Sequence, residues 1–209
     1  MIVPALLTDK REDLERMLYA CEGFAECVQV DVMDGKFVPS RSIGLKDLEG
    51  LHFAGESEAH LMVQDPASWL EVFKQFGSSR VIYHYEIDVD HRSVIETIKA
   101  EGFAAGLAIN PGTDIEDFEH LIDELDSVLF LSVNPGFYGA PFIPAVLEKV
   151  RRFKDAYPHV LTGIDGGIKL DNVEQVWETG VDYVCVGSAI LKANDPGKAF
   201  QEFKGKIGC

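Results

Sequence analysis

Two acids and a histidine stand in this chain where they could share one task. VQVDVMDG (28–35) sets Asp31 inside an apolar run, with Asp34 three residues later and Gly35 after it. HLM (60–62) puts His60 in a second apolar run, and GIDGG (163–167) brings Asp165 to the end of a third. A lone carboxylate in a buried strand is costly unless it meets a metal, a cation or a hydrogen-bond network. Two carboxylates and an imidazole are a workable ligand set for a divalent metal. Two carboxylates across a pocket are also a two-base pair, one removing a proton and the other returning one to the opposite face. Each residue has a plainer reading too. Asp31 could bond backbone amides, and Asp34 reads as a turn acid before Gly35. His60 reads as a hydrogen-bonded core histidine, His84 as packing or support for a neighbour, and Met33 and Met62 as core filler. His52, His91, His120 and His159 read as surface residues.

The elements that must position these groups alternate regularly. Apolar runs rich in Val, Ile, Leu and aromatics predict strands at 2–7, 27–32, 57–63, 80–85, 104–109, 127–133, 159–164 and 182–187. Amphipathic segments between them predict helices. DPASWLEVFKQFG opens on a cap-like Asp65 and a proline and stops at Gly77; DIEDFEHLIDEL and IPAVLEKVRRFKDAY are similar, and DNVEQVWETG ends on Gly180. The second connection is the least regular, a long loop over 34–46 before a short helix. Eight βα units in 209 residues predict an α/β fold, a compact (β/α)8 TIM barrel, forming one domain over 1–209. A doubly wound sheet would bring a G-x-G-x-x-G after its first strand, and the sequence has none there.

In such a barrel the working residues sit at the C-terminal strand ends. Side chains two apart on a strand share a face, so Gln29 points with Asp31 and His60 with Met62. On an inward face, Asp31, His60 and Asp165 converge near the mouth. Glycine-bearing loops follow strand 6 (NPGFYGAPF), strand 7 (DGGI) and strand 8 (GSAI). Such loops expose backbone N–H groups that can hold a phosphate, and tight turns without a ligand are the plainer alternative. A local cradle of this kind could hold an anion on a chain whose net charge is −16. That charge disfavours nucleic-acid and anionic-membrane partners. Cysteines at 21, 27, 185 and 209 form no C-x-x-C pair, no apolar run reaches 18 residues, and a cytoplasmic, soluble protein is expected.

VDVMDGKFVP, HLMV, AINPGT, VNPGF-x-G and DGGI, in this order, resemble the ribulose-phosphate 3-epimerase family over nearly the whole chain. The resemblance implies a (β/α)8 barrel, a homo-oligomer, and interconversion of D-ribulose 5-phosphate and D-xylulose 5-phosphate through an enediolate. It implies Asp31 and Asp165 as acid and base. It also implies one divalent metal (Zn, Fe or Mn) held by both aspartates, His60 and a second residue that falls at Gln29. Met33 and Met62 would pack over the intermediate. Gly136, Gly139, Gly166, Gly167, Gly187 and Ser188 would hold the phosphate.

The chain departs from the family pattern at that site. A metal-binding histidine is Gln29, a strand-1 serine is Ala5, and a methionine is Leu131. In the lid loop a glycine is Tyr138, and Ala140 and Pro141 replace polar residues. Three outcomes are compatible with these changes: a pentulose-phosphate epimerase, an epimerase of a related hexulose phosphate, and a phosphosugar-binding protein without turnover. A hexulose-phosphate synthase or related decarboxylase would need D-x-K-x-x-D, and Asp31 is followed by Val32 and Met33.

Overall fold

Each strand run is apolar on both faces, as a strand covered by helices outside and by core inside must be. In the computed structural model, which describes residues 1–136 and 139–208, these runs form eight parallel strands closed in the order of the chain. They are β1 (Ile2–Leu6), β2 (Cys27–Met33), β3 (Glu56–Met62), β4 (Arg80–His84), β5 (Ala104–Ile109), β6 (Ser127–Leu131), β7 (Leu161–Asp165) and β8 (Tyr183–Val186). The chain is a TIM barrel. Around it lie α1 (Arg11–Glu22), α2 (Leu45–Leu48), α3 (Leu70–Phe76), α4 (His91–Ala100), α5 (Ile115–Phe118), α6 (Val146–Ala156), α7 (Val173–Trp177), α8 (Ser188–Leu191) and α9 (Pro196–Ile207).

The larger core lies between strands and helices, and a smaller one fills the barrel, with Val3, Ala5, Ile82, Ala108, Leu129, Leu131, Tyr183 and Cys185 facing inward. Deeper inside, Arg80 Nη1 donates to Glu58 Oε2 at 2.6 Å, pairing a carboxylate that is 2% exposed. Tyr183 finds room because Gly163 faces it; a Cβ there would collide with the Tyr183 ring. Register carries the site. Asp31 pairs with His60 and Met33 with Met62 between β2 and β3, and Asp165 pairs with Leu131 on one side and Cys185 on the other.

Several local expectations are corrected. Asp65 makes no side-chain cap; Pro66 opens a 3₁₀ turn over Pro66–Trp69 before α3, which ends at Gly77 with φ 89°. The segment predicted as one helix over 114–125 is α5 followed by a 3₁₀ helix over Glu119–Glu124. β6 stops at Leu131 and β7 starts at Leu161, both shorter than the apolar runs. His91 is half-buried rather than a surface residue: its ring stacks on Tyr85 at 4.8 Å, and Nδ1 lies 3.3 Å from the Tyr83 hydroxyl. Among the described residues no helix is long and apolar enough to cross a membrane, and Cys21, Cys27 and Cys185 are free thiols.

Candidate active site

One cavity of about 990 Å³ opens at the C-terminal ends of the strands. Asp31, His60 and Asp165 lie at its floor, Met33 and Met62 on one wall, and Gly136, Gly139, Gly166, Gly167, Gly187 and Ser188 along the opposite loops. Every residue expected to touch substrate thus lines the same space. Gln29 lies just beneath it, fully buried. Tyr138 falls outside the described residues.

Alternation along β2 aims Gln29 and Asp31 inward together, and register brings His60 beside them. His60 Nδ1 stands 3.0 Å from Asp31 Oδ1 and 3.6 Å from Asp165 Oδ2. One ligand atom from each of the three lies within 4.8 Å of the others, two carboxylate oxygens and one imidazole nitrogen, a donor set that fits a divalent ion. Gln29 enters differently. Its Nε2 donates to Asp31 Oδ1 at 2.8 Å and to Asp165 Oδ2 at 3.2 Å, while Oε1 accepts from the Cys185 thiol at 3.1 Å. As oriented here, Gln29 is a hydrogen-bond donor to the two acids, because an amide nitrogen offers no lone pair to a metal.

Electrostatics separates the ionisable groups. Burial raises the pKa of Asp165, the Asp31 charge raises it further, and together they bring it to about 7. For His60, burial opposes the charged form, but the Asp31 bond and the charges of Asp31 and Asp165 outweigh burial and raise its pKa. His84 is fully buried, and burial brings it down to about 4 against the opposing pull of Glu86. Asp34 is the turn acid its sequence suggests. Burial works against its ionised form, but backbone N–H groups of Lys36, Phe37 and Gln64, all within 2.9 Å, keep its pKa low.

The glycine loops come together as expected. Gly166 (φ 112°) and Gly167 (φ 65°) take backbone conformations that other residues rarely adopt. A Cβ on Gly167 would meet the Phe142 backbone at 3.0 Å. Ser132, which carries no motif of its own, holds this turn: its backbone N–H donates to the Asp165 carbonyl at 2.7 Å, and its hydroxyl donates to the Gly166 carbonyl at 2.6 Å. Also unforeseen are Lys169 and Lys192, which bring two positive charges to the cavity rim.

The model of the ribulose-phosphate 3 epimerase family matches residues 1–191. The chain belongs to this family. A ribulose-phosphate 3-epimerase of Mycobacterium bovis (strain ATCC BAA-935 / AF2122/97) is 36% identical over 215 residues, covering 100% of this chain and 93% of the relative. That of Bacillus subtilis (strain 168) is 33% identical over 208 residues, with 96% and 93% covered. A solved 3-hexulose-6-phosphate synthase from Salmonella typhimurium superposes with a TM-score of 0.73 at 17% identity, covering 99% of this chain and 97% of that one, and so shares the fold. This member of the ribulose-phosphate 3-epimerase family is an enzyme of the epimerase class. At its departures from the pattern, Ala5 and Leu131 line the cavity as apolar wall, and Ala140 and Pro141 do so from the segment after β6.

Proposed function

We propose that this epimerase interconverts D-ribulose 5-phosphate and D-xylulose 5-phosphate, with Asp31 and Asp165 as the acid–base pair. The observation that carries the reading is that the two carboxylates face one cavity with oxygens within 4.8 Å of each other. With a reach of roughly 3–3.5 Å from each oxygen to a reacting atom, both can address one carbon. Raised by burial and by its neighbour, Asp165 keeps its proton into the neutral range and starts as the acid. Asp31 starts as the base. It takes the proton from carbon 3, and the C–H electron pair moves to form an enediolate toward the carbonyl at carbon 2. Asp165 then delivers its proton to the other face of carbon 3, which inverts it, and the reverse reaction exchanges the two roles.

Gln29 supplies N–H groups to both carboxylates and, without metal, His60 Nδ1 supplies one to Asp31, which fixes their orientation. Met33 and Met62 give an apolar wall that excludes water from the reacting carbon. The DGG turn, Gly187 and Ser188 hold the phosphate, and Lys169 and Lys192 on the rim favour an anionic substrate. Asp31, His60 and Asp165 would hold one divalent ion (Zn, Fe or Mn), which would polarise the carbonyl and offset developing negative charge.

The test is solvent-deuterium incorporation at carbon 3, over a panel of pentulose and hexulose phosphates, with and without divalent ions. Label should enter the epimer that the wild-type enzyme forms from ribulose 5-phosphate, reaching both sugars only as the reaction reverses, and net epimerisation should be lost in both Asp31→Asn and Asp165→Asn. Binding of the sugar phosphate without any label uptake would overturn the reading in favour of a phosphosugar-binding protein.

A further inference from the structure

Behind His60 runs a line of hydrogen bonds that the acid–base pair does not use. His60 Nε2 lies 3.0 Å from His84 Nε2. On the far side, His84 Nδ1 lies 3.3 Å from Glu86 Oε2. Glu86 is itself held. Its Oε1 accepts from the Asn110 backbone N–H at 2.8 Å and from the Thr113 hydroxyl at 2.7 Å. That loop, the AINPGT segment, is clamped from α6 by Lys149, whose ammonium donates to the carbonyls of Pro111 (2.7 Å), Thr113 (2.5 Å) and Asn110 (3.2 Å). Both histidines are fully buried, and the Phe37 ring packs on His84 with centroids 4.8 Å apart.

The protons along this line are constrained by which atoms face each other. A neutral imidazole has one donor nitrogen and one acceptor. A ring nitrogen facing a carboxylate carries the hydrogen, which puts the proton of His84 on Nδ1. Its Nε2 is then an acceptor, and the nitrogen opposite, His60 Nε2, must donate. The remaining nitrogen of His60, Nδ1, faces Asp31 Oδ1 at 3.0 Å with Asp165 and Gln29 beside it, so by the same rule it carries a second hydrogen when no metal is bound, and His60 is then the charged partner of the two acids.

We propose that Glu86, acting through His84, is a positioning residue that keeps the Nε2 proton on His60 and aims His60 Nδ1 at the two aspartates. This rests on the reading of His60 as a ligand or charged partner of those acids. A ligating histidine is commonly oriented by a carboxylate or carbonyl on its other nitrogen. Here the orienting carboxylate acts at one remove, with a second imidazole between. The AINPGT loop acquires a purpose: its N–H and hydroxyl present Glu86 to His84, and Lys149 holds the loop.

Nitrogen-15 NMR of the full chain labelled at histidine tests this, first without metal and then with zinc as the probe. In the wild type, His84 should be protonated at Nδ1 and bare at Nε2, and His60 should be protonated at Nε2 in both states. Glu86→Ala should mix the two His84 tautomers and weaken zinc binding by about 10–100-fold in a chelator competition. Thr113→Val, which keeps the volume and removes one bond to Glu86, should act in the same direction to a smaller extent. A wild-type His84 protonated at Nε2, alone or on both nitrogens, would overturn the proposal. So would zinc affinity within twofold of wild type in Glu86→Ala, or an affinity loss with both tautomers unchanged, which is general loosening. A wild type that binds no zinc counts against the metal reading alone, since the metal-free tautomers still decide this one.

Discussion

Replacing Asp165 by asparagine should make the metal-free protein more stable at alkaline pH while removing its activity. Asp165 is 13% exposed at its side chain and shares its surroundings with Asp31. Burial first, then the Asp31 charge, raises its pKa from 3.8 to about 7. The folded state therefore keeps a proton that the unfolded chain releases. The stability linked to that proton is complete below the unfolded value and is lost as pH rises through the folded one. A rise of ~3 units at ~1.4 kcal/mol each sets a ceiling of about 4 kcal/mol. Discounting for solvent access from the cavity leaves about 2–3 kcal/mol. At pH 8 the wild type bears this cost, and an amide that does not ionise avoids it. For a chain of this length, that is a melting temperature higher by about 4–12 °C. Melting and urea unfolding of both proteins in chelator at pH 8 and pH 5 measure the gap, which should narrow at the lower pH. Equal stability at pH 8, or a gap that does not narrow, would refute the like-charge reasoning. Zinc should raise the melting temperature of the wild type and have little effect on the variant.

Three further outcomes follow from packing and chemistry. Gln29→His exchanges an amide for an imidazole beside Asp31, His60 and Asp165; an added ligand contributing only about 1.4 kcal/mol tightens zinc binding tenfold, and unchanged affinity in a chelator competition would place residue 29 outside the ligand set. Arg80→Ala strands the Glu58 carboxylate, which is 2% exposed, and should cost about 3–5 kcal/mol in urea unfolding at neutral pH; a cost below about 1 kcal/mol would show that another group holds Glu58. Gly163→Ala drives a methyl into the Tyr183 ring and should cost about 1–3 kcal/mol, relieved by adding Tyr183→Val; no relief in the double variant would show that the strain lies elsewhere.

The barrel was legible because its strands, buried on both faces, are continuous apolar runs. Most strand ends fall within one or two residues of the runs. The apolar run outlasts the strand where ladder pairing stops early, as at Ser132 and Val133 after β6. The site was legible because a two-residue alternation puts Gln29 with Asp31 in QVD and His60 with Met62 in HLM, and a barrel with both faces turned inward brings them together. The amphipathic segment 114–125 misled because Ile115, Phe118 and Leu121 are spaced by three, which a 3₁₀ helix satisfies as well as an α-helix. Two features of the site were beyond reach. The orientation of the Gln29 amide depends on Cys185, 156 residues away. Glu86 follows His84 by two residues, the same spacing that paired Gln29 with Asp31, but it lies just past the end of β4, and its partners Asn110 and Thr113 come from the next strand's loop.

The role of the two aspartates is tested most directly by following deuterium in both sugars during the first turnovers in D₂O. A pair of acids working from opposite faces of carbon 3 puts solvent deuterium into the newly formed epimer while the unreacted substrate stays unlabelled. Equal early label in substrate and product would mean that one group handles the proton on both faces, and Asp31 and Asp165 would not be the pair described here.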